Sequence, residues 1–158
     1  MSTSKEHESA QSQTLRNDMQ NGLQRIMMVE DDVDIQTVAR MSLEAVGGYT
    51  VEVCSGGHEA LQKVEGFAPN LILLDVMMPD MDGPTLLQHL RAGNNTKNLP
   101  IVFMTAKAQS HEVESYLKMG ALAVVSKPFD PMKLSAILAG IWSEYAASEK
   151  AILQGEQL

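Results

Sequence analysis

Apolar residues fall into five short runs along the chain, and each run is followed by a stretch in which they recur at helical spacing. The first run, Arg25-Ile26-Met27-Met28-Val29, stops at the acidic cluster Glu30-Asp31-Asp32. From Ile35 to Val46 the apolar positions are Ile35, Val38, Ala39, Met41, Leu43 and Val46, the spacing of a helix with one apolar face. Asp34 is placed to cap that helix, and Gly47-Gly48 to stop it. Tyr49 to Cys54 interleaves polar residues with Val51 and Val53, as expected for an edge strand, and Gly57 to Val64 reads as a helix.

The alternation continues to the end of the patterned region. Leu71-Ile72-Leu73-Leu74 is an unbroken apolar strand that ends at Asp75. Pro84 to Arg91 predicts a helix with proline in its first turn, where a missing N–H costs nothing. Ile101 to Met104 is a fourth strand, Ser110 to Met119 a helix, Ala121 to Val125 a fifth strand, and Pro131 to Ala147 or beyond a last helix. Unbroken apolar runs in strands one, three and four imply burial on both faces. The predicted fold class is α/β: an open five-stranded parallel sheet, order 2-1-3-4-5, with helices on both faces, flavodoxin-like. Residues 1–23 form a polar N-terminal tail, 24–147 the folded domain, and 148–158 a helical extension or tail.

Composition changes this picture little. A chain of 158 residues, 44% hydrophobic, suits one domain. Aromatics are only 4%, so aliphatic residues and the eleven methionines are expected to fill the core. A net charge of −8 argues against a nucleic-acid surface. The single cysteine, Cys54, excludes an internal disulfide and reads as a small buried hydrophobe. No apolar run reaches the roughly 18–20 residues of a membrane span, and no secretory region opens the chain, so a cytoplasmic protein is expected.

Function in an open parallel sheet gathers beyond the carboxyl ends of the strands. Strand one is followed by Glu30 and Asp31, strand three by Asp75, strand four by Thr105 and strand five by Lys127. Three acids, a hydroxyl and an amine therefore share one edge. Clustered carboxylates repel one another unless a cation intervenes, and Mg²⁺ needs only one or two carboxylates plus phosphate oxygens. The set suits phosphoryl transfer to Asp75, with Mg²⁺ and Lys127 offsetting phosphoryl charge and Thr105 hydrogen-bonding the new group.

Met28-Val29-Glu30-Asp31-Asp32, Leu73-Leu74-Asp75-Val76-Met77-Met78-Pro79-Asp80-Met81-Asp82-Gly83, Thr105-Ala106 and Ser126-Lys127-Pro128-Phe129 resemble, in order and spacing, the signatures of response regulator receiver domains of the single-domain, chemotaxis type. The resemblance runs from about Arg25 to Ala147. It implies that Asp75 is the phosphoacceptor and that Mg²⁺ is held by Glu30, Asp31, Asp75 and the backbone carbonyl of Met77. Asp31 would ligate directly and Glu30 through water. Thr105 would be the switch hydroxyl, Lys127 would pair with the phosphoryl group, and the Lys127–Pro128 bond would be cis. Asp32 fits a helix-entry role better than a metal-binding one. The implied partners are a histidine kinase or histidine phosphotransfer protein and a downstream protein target, with no nucleic acid and no membrane insertion.

One position departs from the family pattern. Many receivers carry an aromatic residue three positions before the lysine, and here it is Val124. The readout is then expected to rest on the loop after Thr105 and the fourth helix. His7, His58, His89 and His111 show no metal-ligand spacing, and Lys107 lies beside the site either as a modulator of phosphoryl lifetime or as a solvated lysine. Trp142 and Tyr145 mark either a partner or homodimer surface or packing on the body. The expected function is a stand-alone switch, not an enzyme, with a phosphorelay intermediate as the alternative. A haloacid-dehalogenase-type hydrolase would want a second aspartate two places after Asp75, where Met77 stands.

Overall fold

A computed structural model describes residues 22–155. Its strands are β1 (Arg25–Val29), β2 (Thr50–Cys54), β3 (Leu71–Asp75), β4 (Ile101–Thr105) and β5 (Ala123–Ser126). Between and after them run helices α1 (Val33–Met41), α2 (Gly57–Phe67), α3 (Gly83–Ala92), α4 (Ser110–Met119) and α5 (Leu134–Gly155). All strand pairs are parallel, and the sheet order is β2-β1-β3-β4-β5, as the sequence pattern predicts.

Burial follows the strand pattern. β3 and β4 are buried at every position, and β1 at four of five, whereas β2 and β5 at the sheet edges are partly open. Alternate side chains feed two cores. One joins Met27, Val29, Ile72, Leu74 and Phe103 to α2 and α3. The other joins Ile26, Met28, Leu73, Val102 and Met104 to α1 and α5. Covering both faces with helices leaves the carboxyl ends of β1, β3 and β4 to meet at one rim.

Several boundaries differ from expectation. Asp32, not Asp34, caps α1: its Oδ1 accepts from the backbone N–H groups of Asp34 (2.9 Å) and Ile35 (3.2 Å). That satisfies two of the first-turn donors, so the helix begins at Val33 and Asp34 lies in its first turn. After Met41 the helix widens into a π turn, Ser42–Val46, before Gly47 and the left-handed Gly48 (φ +71°) end it. β5 starts at Ala123, because the Ala121 N–H closes the end of α4 on the Tyr116 carbonyl beside the left-handed Gly120. α5 starts at Leu134 after a turn in which the Lys133 and Leu134 N–H groups both bond the Asp130 carbonyl.

Methionine divides between two environments. Met27, Met28, Met78, Met81 and Met104 are buried, while Met41, Met77, Met119 and Met132 are exposed. Trp142 is only 7% exposed and packs into the α1/α5 core, with its ring 5.4 Å from that of half-buried Tyr145. Of the two roles open to Trp142 from the sequence, the structure selects packing on the body.

Candidate functional site

Three central strands end on a side chain with chemistry to offer. The step from Val29 to Glu30 leaves β1 with the Glu30 N–H bonded to the Cys54 carbonyl (3.0 Å), which points its carboxylate inward at 1% exposure. Asp31, the next residue, faces outward and is exposed. Asp75 is the last residue of β3 and is 5% exposed. One carboxylate oxygen from each of Glu30, Asp31 and Asp75 lies within 4.8 Å of the others. An all-oxygen, all-anionic set of this size fits a hard divalent cation such as Mg²⁺.

Lys127, just past β5, supplies the counter-charge. Its Nζ lies 2.7 Å from Glu30 Oε2 and 3.1 Å from Asp75 Oδ1. The Lys127–Pro128 bond is cis. Burial depresses the ammonium pKa, but the hydrogen bonds to Glu30 and Asp75 outweigh that, and it stays above its ordinary value. Burial pushes both carboxyls up in spite of the lysine, with repulsion from Asp75 adding to it at Glu30 and repulsion from Asp31 adding to it at Asp75. One ammonium thus serves two buried acids, and among the described residues no cation pairs with Asp31. The cluster keeps an excess of negative charge that a divalent cation would offset.

Thr105 closes the other side. It ends β4, is 4% exposed, and its Oγ1 accepts the Lys107 backbone N–H at 3.0 Å. The loop after Asp75 carries Met77, whose N–H reaches Asp75 Oδ1 at 3.4 Å and whose side chain is 67% exposed. That loop is pinned by a bond from the Gly83 N–H to the Val76 carbonyl at 2.8 Å. A Cβ on Gly83 would lie 2.5 Å from the Asp75 carbonyl oxygen and 2.9 Å from Val76 Cα, so a side chain there has nowhere to go.

All five side chains singled out in the sequence therefore converge on this rim. The bridge from Lys127 to Glu30 was not foreseen, since nothing in local spacing links residues 97 apart. Gln36 was also missed. Its Nε2 bonds the Glu30 carbonyl at 2.5 Å and holds α1 against the acidic turn. Lys107 meets the site through its backbone N–H. His58, His89 and His111 lie on separate helices, and His7 falls outside the described residues. Cys54 is fully buried, and burial pushes its thiol up to about 12, which fits an inert packing role.

Comparison with known proteins agrees with this geometry. The response regulator receiver domain model matches residues 26–139. The chain belongs to the response regulator receiver domain family. A *Bacillus subtilis* protein, the alkaline phosphatase synthesis transcriptional regulatory protein PhoP, is 36% identical over 134 residues, covering 84% of this chain and 55% of PhoP. Response regulator Rre1 of *Synechocystis* is 32% identical over 126 residues, 80% of this chain and 54% of Rre1. The chain spans about half the length of these curated relatives. Among solved structures, the chemotaxis protein CheY4 of *Vibrio cholerae* superimposes with a TM-score of 0.69 at 28% identity, over 76% of this chain and 99% of CheY4. A CheY-like receiver from *Methanospirillum hungatei* gives 0.69 at 30% identity, over 81% and 99%. Receivers of this family are signalling switches of two-component systems.

Proposed function

We propose that the chain is a phosphorylation switch whose receiver occupies residues 24–147, with Asp75 as phosphoacceptor and a histidine kinase or histidine phosphotransfer protein as donor. The observation that carries this reading is the buried carboxylate of Asp75, flanked by Glu30, Asp31 and Lys127. In the transfer, an Asp75 carboxylate oxygen attacks the phosphorus of a phosphohistidine. The new O–P bond forms as the N–P bond breaks, and the donor imidazole leaves.

The roles of the remaining groups follow from their chemistry. Glu30, Asp31, Asp75 and the Met77 backbone carbonyl would hold Mg²⁺, with Asp31 direct and Glu30 through water. The ion supplies positive charge beside the phosphoryl oxygens. Lys127, already 3.1 Å from Asp75, shifts from its carboxylate partners to the phosphoryl group. Thr105 turns its hydroxyl toward a phosphoryl oxygen and so registers the modified state. Having no second acid at Met77, the chain is read as a switch and not as a hydrolase.

We place the output in contacts with a downstream protein, in the cytoplasm, by a chain that works alone. Support comes from the acidic net charge of −8 and from the chemotaxis protein that this chain matches over 99% of its length. No helix among the described residues is long and apolar enough to cross a membrane. A relay intermediate remains the alternative within the same chemistry. PhoP favours another reading, since its name is that of a transcriptional regulator and the matched region is about half of it.

Transfer from a phosphohistidine donor tests the proposal. Uptake of phosphate should require Mg²⁺, and Lys127→Ala should slow it by roughly a hundredfold, the usual effect of losing one transition-state charge partner. Uptake that continues undiminished after chelation of divalent cations would overturn the assignment.

A further inference from the structure

Helix α4 is held more loosely than any helix on its face of the sheet. None of its residues is fully buried. Its Leu117 and Met119 are 43% and 47% exposed, and only Tyr116 packs against the neighbouring core cluster. The Tyr116 ring stands edge-on to Phe103, with centroids 5.3 Å apart and planes at 65°. This is the favourable arrangement for two aromatic rings.

Phe103 ties that contact to the phosphorylation rim. It precedes Thr105 by two residues in β4, so the two side chains share a face. Its Cε1 lies 3.1 Å from the point where a Cβ on Gly83 would sit, and the Asp75 carbonyl oxygen is 2.5 Å from that same point. Phe103 thus stands between the loop after Asp75 and the inner face of α4. Beside it in β5 is Val124, which packs on the same cluster but brings no ring. The aromatic partner of Phe103 comes from α4.

A polar link runs alongside. Thr105 Oγ1 accepts the Lys107 N–H at 3.0 Å, which anchors the start of the β4–α4 connection. Moving that hydroxyl toward an oxygen on Asp75 lengthens this bond and frees the connection. A helix with so little buried surface then has little to hold it in place.

We propose that Tyr116 is the positioning residue through which Thr105 reaches α4: when Asp75 is phosphorylated, the Phe103–Tyr116 contact is remade and α4 moves with its exposed Leu117 and Met119. This inference rests on Asp75 being the phosphoacceptor. It assigns the readout to a residue on α4 in place of Val124.

Hydrogen exchange of the α4 backbone amides tests it, before and after incubation with Mg²⁺ and acetyl phosphate, with the phosphoryl adduct counted by intact mass in each sample. In the parent, the adduct should change exchange in α4 several-fold. Tyr116→Phe, which keeps the ring, should retain that change. Tyr116→Leu, which keeps apolar bulk, and Tyr116→Ala should lose it at the parent's adduct yield, with α3 exchange unaltered. A parent-sized response in adduct-bearing Tyr116→Leu, or loss of the response in Tyr116→Phe, overturns the proposal. A parent that forms no adduct refutes the phosphorylation reading and this inference with it, whereas an adduct without any α4 response refutes this inference alone.

Discussion

Helices α3 and α4 are neighbours on one face of the sheet, each of ten residues, and each follows a strand that ends at the acidic rim. They are held very differently. α3 follows Asp75 and buries Gly83, Leu86, Leu87 and Leu90, and its first turn is capped by Asp82, whose Oδ1 accepts the Thr85 N–H at 2.8 Å. α4 follows Thr105, buries no residue fully, and begins at Gln109 with no side-chain cap. The element next to Asp75 is fixed by packing, and the one next to Thr105 is left free to respond. A site needs geometry held to fractions of an ångström, while a switch needs a segment whose opening costs little.

The sharpest way to break that contrast is to truncate one side chain in each helix. Leu87→Ala in α3 should lower unfolding free energy by about 2–5 kcal/mol in urea titrations, because it empties a fully packed position. Val113→Ala in α4, at a half-buried position, should cost about 1 kcal/mol or less. Equal losses would mean that α4 is as well anchored as α3.

Gly83→Ala probes the same anchoring at the backbone. The added methyl meets the Asp75 carbonyl and Val76 Cα, neither of which can rotate away, so a loss of about 1–3 kcal/mol is expected. A thermal midpoint matching the parent would show that the loop after Asp75 has slack. The smallest effect should come from giving α4 the cap it lacks. Gln109 already has an extended cap conformation (φ −73°, ψ 160°), and Gln109→Asp should stabilise the helix by about 0.5–1 kcal/mol. Slower amide exchange in the first turn of α4 is the measurement, and unchanged exchange would place the looseness elsewhere.

What was legible in the sequence, and what was not, divides along similar lines. β1, β3 and β4 could be read because burial on both faces leaves an unbroken apolar run, and each site residue stands where such a run stops. The cap of α1 was misplaced because Asp32 and Asp34 are the same residue type two positions apart, and only the backbone shows which carboxylate reaches the free N–H groups. The π turn at Ser42–Val46 has no apolar signature of its own. The bridge from Lys127 to Glu30 and the fate of Trp142 depend on the meeting of distant segments. The looseness of α4 was hidden for a related reason. Its apolar spacing resembles that of α3, but burial depends on how closely the helix approaches the sheet, which periodicity does not encode.

The central claim is that Asp75 accepts the phosphoryl group, and peptide mapping by mass spectrometry after incubation with Mg²⁺ and acetyl phosphate tests it most directly. The account predicts one phosphoryl group on the peptide containing Asp75, and none on Asp75→Asn treated in the same way. An unmodified parent, or an Asp75→Asn protein phosphorylated to the parent's extent, would contradict it.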